Sequence, residues 1–123
     1  MVQNTHQKGQ WAEDVAARFL LKNNFKILFR NWRAERGDID IIALEKDYLV
    51  FVEVKGGYSP DFGPPELRIT SAKKRQLYKL ASVFLQRSEE YNIDYTSCRF
   101  DVIIVDGFPD RHNIRHYPNA FTI

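Results

Sequence analysis

Residues 49–57 read LVFVEVKGG, and this stretch decides the architecture. Leu49, Val50, Phe51 and Val52 are apolar at four successive positions, so both faces of the segment are apolar. A strand covered from one side alternates apolar with polar. One that is apolar on both faces belongs in the middle of a sheet, with a layer above and another below. Glu53 and Lys55 follow, two residues apart and therefore on one face of a regular strand. An acid and a base side by side where a buried strand leaves the core mark the place to look for chemistry.

The flanking segments complete the fold. DIDIIAL (Asp38–Leu44) is a second run apolar on both faces. It is separated from YLVFVEVK (Tyr48–Lys55) by the polar turn Glu45-Lys46-Asp47, which suits an antiparallel hairpin. FKILFRNW (Phe25–Trp32) is a third strand ahead of them. At the start, GQWAEDVAARFLL (Gly9–Leu21) has helical periodicity, with Ala12, Val15, Ala16, Phe19 and Leu20 as its apolar stripe. Glu13 lies at the edge of that stripe, and Asn23-Asn24 ends the helix. After the Gly- and Pro-rich stretch GGYSPDFGPPELRI, a second helix runs from about Ser71 to Arg87, capped by Thr70 or Ser71. Its stripe is Leu77, Leu80, Ala81, Phe84 and Leu85. RFDVIIVD (Arg99–Asp106) is the last strand, followed by a polar tail. The order αβββαβ predicts an α/β fold: a mixed central sheet flanked by helices, with a right-handed crossover through the second helix.

The 123 residues suit a single domain, 1–123, with a core of ordinary size. A net charge of +2 permits a nucleic-acid partner without requiring one. The single cysteine, Cys98, excludes an internal disulfide and a cysteine zinc site, which points to a reducing, cytoplasmic setting. No apolar run approaches the ~20 residues of a membrane helix, so no membrane partner is expected.

The hairpin brings a second pair of acids, Asp38 and Asp40, towards Glu53. A three-residue turn at Glu45–Asp47 sets Asp40 opposite Val52, with Glu53 a neighbour away. Glu53 and Lys55 alone would read as an ion pair at a strand exit. With Asp40 on the paired strand, two carboxylates converge and repel unless a cation lies between them. Oxygen ligands suit Mg²⁺ or Mn²⁺, with water completing the shell. Lys55 would then assist the attacking water or stabilise charge on a phosphate.

The run NWRAERGDIDIIALEKDYLVFVEVK resembles the YraN family of small bacterial proteins, predicted nucleases related to archaeal Holliday-junction resolvases. The likeness extends to GQWAEDVAARFL, FGPPE, ITSAKKRQL, CRFDVIIV and NAF. It implies a restriction-endonuclease-like αβββαβ core and an Asp…Glu-x-Lys metal centre, carried over to Asp40, Glu53 and Lys55. In the wider superfamily a glutamate of the first helix joins the site, and Glu13 matches it. The chain departs from the family pattern at Asp38, where Glu is usual, and at Gly57, where Arg is usual.

Cations bracket this cluster. No acid lies between Glu66 and Glu89, whereas Arg68, Lys73, Lys74, Arg75 and Lys79 are basic. Arg30, Arg33 and Arg36 form a second group ahead of Asp38. Either they are solvated faces or they hold a nucleic-acid backbone, most naturally DNA, from outside the Asp–Glu–Lys cluster. Tyr58 and Phe62 stack on bases or pin their loop. His112 and His116 read as surface residues, Trp11 and Trp32 as core, and Asp101 as a partner of Arg99 or of a backbone donor. The expected activity is Mg²⁺-dependent hydrolysis of DNA phosphodiesters. The alternative is a non-catalytic nucleic-acid-binding or protein-interaction module; a homodimer is compatible with either.

Overall fold

The structure, a computed structural model, describes residues 5–35, 37–57 and 69–122. Its elements are α1 (Thr5–Lys22), β1 (Lys26–Ala34), β2 (Gly37–Glu45), β3 (Tyr48–Gly57), α2 (Ser71–Gln86), β4 (Ser97–Phe108) and β5 (Arg111–Phe121). A 3-10 turn, Ser88–Tyr91, follows α2. The strands form one sheet in the order β1-β2-β3-β4-β5. β3 and β4 are parallel and the other neighbours antiparallel. The expected αβββαβ core is present, and β5 extends it.

The two-faced apolar run of β3 does what its composition requires. Val50 and Val52 pack with Ala12, Val15, Ala16 and Leu20 of α1, together with Ile103 and Val105 of β4. Leu49 and Phe51 pack with Leu77, Leu80, Ala81 and Phe84 of α2, together with Val102 and Ile104. The sheet is thus sandwiched between helices, and each layer excludes water over one face. Asn24, with φ 68°, takes the left-handed conformation that closes α1, and the Phe25 N–H returns to the Leu20 carbonyl at 3.0 Å. Thr70 caps α2 by accepting from the Lys73 N–H at 3.1 Å.

Several expectations are corrected. α1 begins at Thr5, a turn earlier than its apolar stripe indicates. The hairpin turn has two residues, Lys46 and Asp47, with Lys46 at φ 55°. Glu45 therefore pairs with Tyr48, and Ile41 rather than Asp40 lies opposite Val52. The polar tail is largely strand: β5 pairs with β4 along the sheet edge, where its polar side chains meet water. Trp32 is core, but Trp11 is only half-buried and meets His112 edge-on with centroids 5.5 Å apart. His116 is not a surface residue; its ring nitrogen lies 2.8 Å from the Asp101 carboxylate. Asp101 also takes Arg99 at 2.9 Å and the Asn119 N–H at 2.9 Å. Burial alone would raise its pKa, but these bonds outweigh that cost and hold it low. Among the described residues, no helix is long and apolar enough to cross a membrane.

Candidate active site

The ladder between β2 and β3 stops at Ile41–Val52, and Asp40 marks the stop. Along β2, Ile39 and Ile42 pack on the α2 side, whereas Ile41 and Ala43 pack on the α1 side. A regular strand would give Ile39 and Ile41 the same face, so the alternation breaks at Asp40. On β1, Asn31 lies between the partners of Ile41 and Ile39 and has φ 53°. With the backbone ladder interrupted, the Asp40 carboxylate accepts the Val54 N–H at 2.8 Å. It fills the place of a strand partner at the point where the two strands part.

Glu53 lies beside it on β3 and is buried. The charge of Asp40 acts on Glu53, and two carboxyl groups this close favour keeping a proton on one of them. Burial, then the Asp40 charge, pushes the Glu53 pKa up to about 8, against the opposing pull of Lys73 and Lys55. Burial also raises Asp40, although the Val54 N–H and the Glu53 hydrogen bond partly offset it. Lys55, two residues on and partly buried, is close enough for its charge to act on Glu53. Asp38 adds negative charge to Asp40 from the start of β2.

Glu13 approaches from α1. It is buried, accepts from Arg30 at 3.2 Å and Asn31 at 2.9 Å, and its pKa is raised by burial and then by Asp40. Arg30 also bridges to Asp14 at 2.6 Å. Glu13 therefore shares the field of Asp40 while its own bonds go to β1.

The second helix corrects the expected separation of roles. Lys73 does not stand outside the cluster: its ammonium is 3.7 Å from Glu53, and its charge also acts on Asp40. That contact joins two elements across the core, so no spacing along the chain could announce it. Lys74 lies over the Phe121 ring, 5.5 Å from its centroid. Arg75 and Lys79 line an open groove of about 740 Å³ between α2 and the β1–β2 turn, together with Lys73, Gln76, Glu35 and Gly37. A Cβ on Gly37 would come within 2.6 Å of the Gln76 amide, so a side chain here would push the Gln76 side chain aside. Arg33 is exposed on β1, opposite Asp38. Arg36, Arg68, Tyr58 and Phe62 lie outside the described residues.

Among the described residues, no three His, Cys, Asp or Glu side chains gather closely enough to hold a metal by themselves. Two carboxyl groups do meet, and the upward shift of both marks an excess of negative charge at this place. This fits Mg²⁺ or Mn²⁺, since Mg²⁺ commonly takes one or two carboxylates and keeps several waters. It does not fit a metal that needs a full protein cage.

Comparisons with known proteins agree over nearly the whole chain. The model of the uncharacterised protein family UPF0102 matches residues 12–105. A UPF0102 protein of Sulfurihydrogenibium is 40% identical over 117 residues, covering 95% of this chain and 96% of that protein. Another, from Symbiobacterium thermophilum, is 41% identical over 114 residues, covering 92% and 94%. A third, from Geobacter metallireducens, is 39% identical over 115 residues, covering 94% and 92%. The chain belongs to the UPF0102 family.

Proposed function

We propose that the protein is a nuclease of the YraN type that hydrolyses DNA phosphodiesters with a divalent cation held by Asp40 and Glu53. The observation that carries this reading is the carboxyl pair at the parting of β2 and β3, Glu53 buried and Asp40 half-buried, with cations from two elements beside it. A structural carboxylate is normally matched by cations and N–H donors, as Asp101 is by Arg99, His116 and the Asn119 N–H. Asp40 and Glu53 instead lie beside each other, with Asp38 and Glu13 adding negative charge, and the cation nearest Glu53 is the loosely placed Lys73.

A bound divalent cation would supply Lewis acidity towards the phosphate and the attacking water. In the hydrolysis, a water oxygen forms a bond to phosphorus and gives up a proton. One ester oxygen leaves and takes up a proton. Lys55, held on the same strand as Glu53, orients that water and offsets charge building on the phosphate. Glu13, held by Arg30 and Asn31, adds negative charge beside Asp40 from the α1 side. Arg33, Arg75 and Lys79 are exposed beside the site and suit the DNA backbone on charge.

The test is cleavage of linear, flapped and four-way DNAs with Mg²⁺ or Mn²⁺, beside a Glu53→Gln control. Cation-dependent products that the control does not make support the reading. Tight binding of DNA without cleavage of any substrate, with or without the cation, would replace it with the binding-module reading.

A further inference from the structure

Lys73 touches the carboxylate pair and the basic groove at once, and its contact with Glu53 is loose. At 3.7 Å it is longer than a charge-assisted hydrogen bond, which runs at about 2.7–2.9 Å. The ion pairs that fasten this fold are tighter: Arg99 to Asp101 is 2.9 Å and Arg30 to Asp14 is 2.6 Å. The Lys73 side chain is 31% exposed, whereas that of Glu53 is 7% exposed. One partner is fixed in the sheet, and the other has a long flexible stem with an open side.

Its place on the helix argues the same way. Lys73 lies in the first turn of α2, which carries no acid. Cations there oppose the helix dipole, so helix stability does not explain this one. Its backbone is pinned, because its N–H is the one that Thr70 caps. Any movement is therefore in the side chain alone, and the space beside it is the groove that Arg75 and Lys79 share.

We propose that Lys73 is a removable counter-ion, resting against Glu53 in the metal-free protein and passing to a DNA phosphate when a divalent cation takes its place. The inference rests on the reading of Asp40 and Glu53 as the ligands of that cation. It adds that the site exchanges one cation for another, and that the displaced charge is used in binding DNA.

The exchange has a signature that needs no activity. Lys73→Met keeps the stem and removes the charge. Lys73 repels a divalent ion about twice as strongly as it repels a proton at the same place, so its loss favours the metal even where the two compete. Calorimetric titration without DNA should show Mg²⁺ binding to Lys73→Met roughly fivefold to thirtyfold more tightly than to the parent. The second measurement is DNA affinity against KCl, by fluorescence anisotropy of a labelled oligonucleotide, with Ca²⁺ or with chelator. In the parent, the metal-induced steepening of the log–log slope should exceed that of Lys73→Met by one phosphate contact, about 0.7 to 0.9. Lys79→Gln serves as the comparison and should flatten the slope equally with and without Ca²⁺. Unchanged or weaker Mg²⁺ binding in Lys73→Met overturns the counter-ion role. Tighter Mg²⁺ binding with an undiminished slope change overturns the transfer to phosphate. No Mg²⁺ binding by the parent overturns this inference and the proposed metal site together, whereas normal binding in the parent confines either failure to Lys73.

Discussion

Replacing Glu53 with glutamine should stabilise the metal-free protein, and by an amount that grows with pH. Glu53 titrates at about 8 in the fold against 4.5 as its ordinary value. Between those values the folded chain keeps a proton that the unfolded chain has released, so stability falls as pH rises. The stability that goes with the protonated carboxyl is fully present below 4.5 and is lost by the time the pH passes about 8. At about 1.4 kcal/mol per unit, the loss is about 3 kcal/mol at pH 7 and approaches 5 kcal/mol at pH 9. Glutamine resembles the protonated form: it is neutral, and its amide can donate to Asp40. Urea unfolding followed by circular dichroism, in chelator at pH 5, 7 and 9, measures the difference. The variant should differ little from the parent at pH 5 and exceed it by several kcal/mol at pH 9. A difference that is flat with pH, or that favours the parent at pH 9, would refute the argument that Glu53 is a buried acid short of positive charge. Mg²⁺ should reverse the order, because it stabilises only the protein that binds it.

Asp40→Asn keeps an acceptor for the Val54 N–H but loses a charged ligand, so calorimetry should show Mn²⁺ affinity lowered by at least about tenfold with folding retained. Unaltered affinity in both Asp40→Asn and Glu53→Gln would make the acids structural. Lys55→Ala should leave DNA binding within about threefold of the parent and reduce the cleavage rate at least a hundredfold, roughly the loss of one electrostatic contact to the transition state. Gel assays of cleavage beside anisotropy separate the two effects. Neutralising Arg75 and Lys79 together should flatten the salt dependence of DNA binding by about 1.4 to 1.8 units for all sequences alike. An unaltered slope would make that groove wall a solvated face.

The fold was legible where composition constrains both faces of a segment. Leu49–Val52 could only be a central strand, and the helical stripes of α1 and α2 matched its two sides. The hairpin was legible, but its register was not. Whether Glu45 belongs to the turn or pairs with Tyr48 depends on Lys46 adopting a positive φ, which no Gly or Asn signals. β5 was missed because an edge strand can carry polar side chains at most positions, and its His, Arg and Asn residues hide any alternation. Of the candidate site, the sequence could indicate Asp40, Glu53 and Lys55, since they lie on adjoining strands. The Lys73 contact depends on how α2 settles on the sheet and has no local trace. The left-handed Asn31 was equally silent, although it lies where β2 changes faces.

That change of face has a consequence for how the protein can vary. The two apolar layers have no buried side chain in common among the described residues, so either can be repacked without the other registering it. Asp40 is the exception. Through it, the charge of Glu13 on α1 and that of Lys73 on α2 act on one carboxylate from opposite sides of an otherwise opaque sheet. A substitution in α1 that shifts Glu13 should therefore retune α2-side chemistry without moving an atom of α2. Laboratory evolution of this scaffold should then find modifiers of the site around Glu13 on α1 and its β1 partner Arg30 sooner than among the larger set of core positions that surround it.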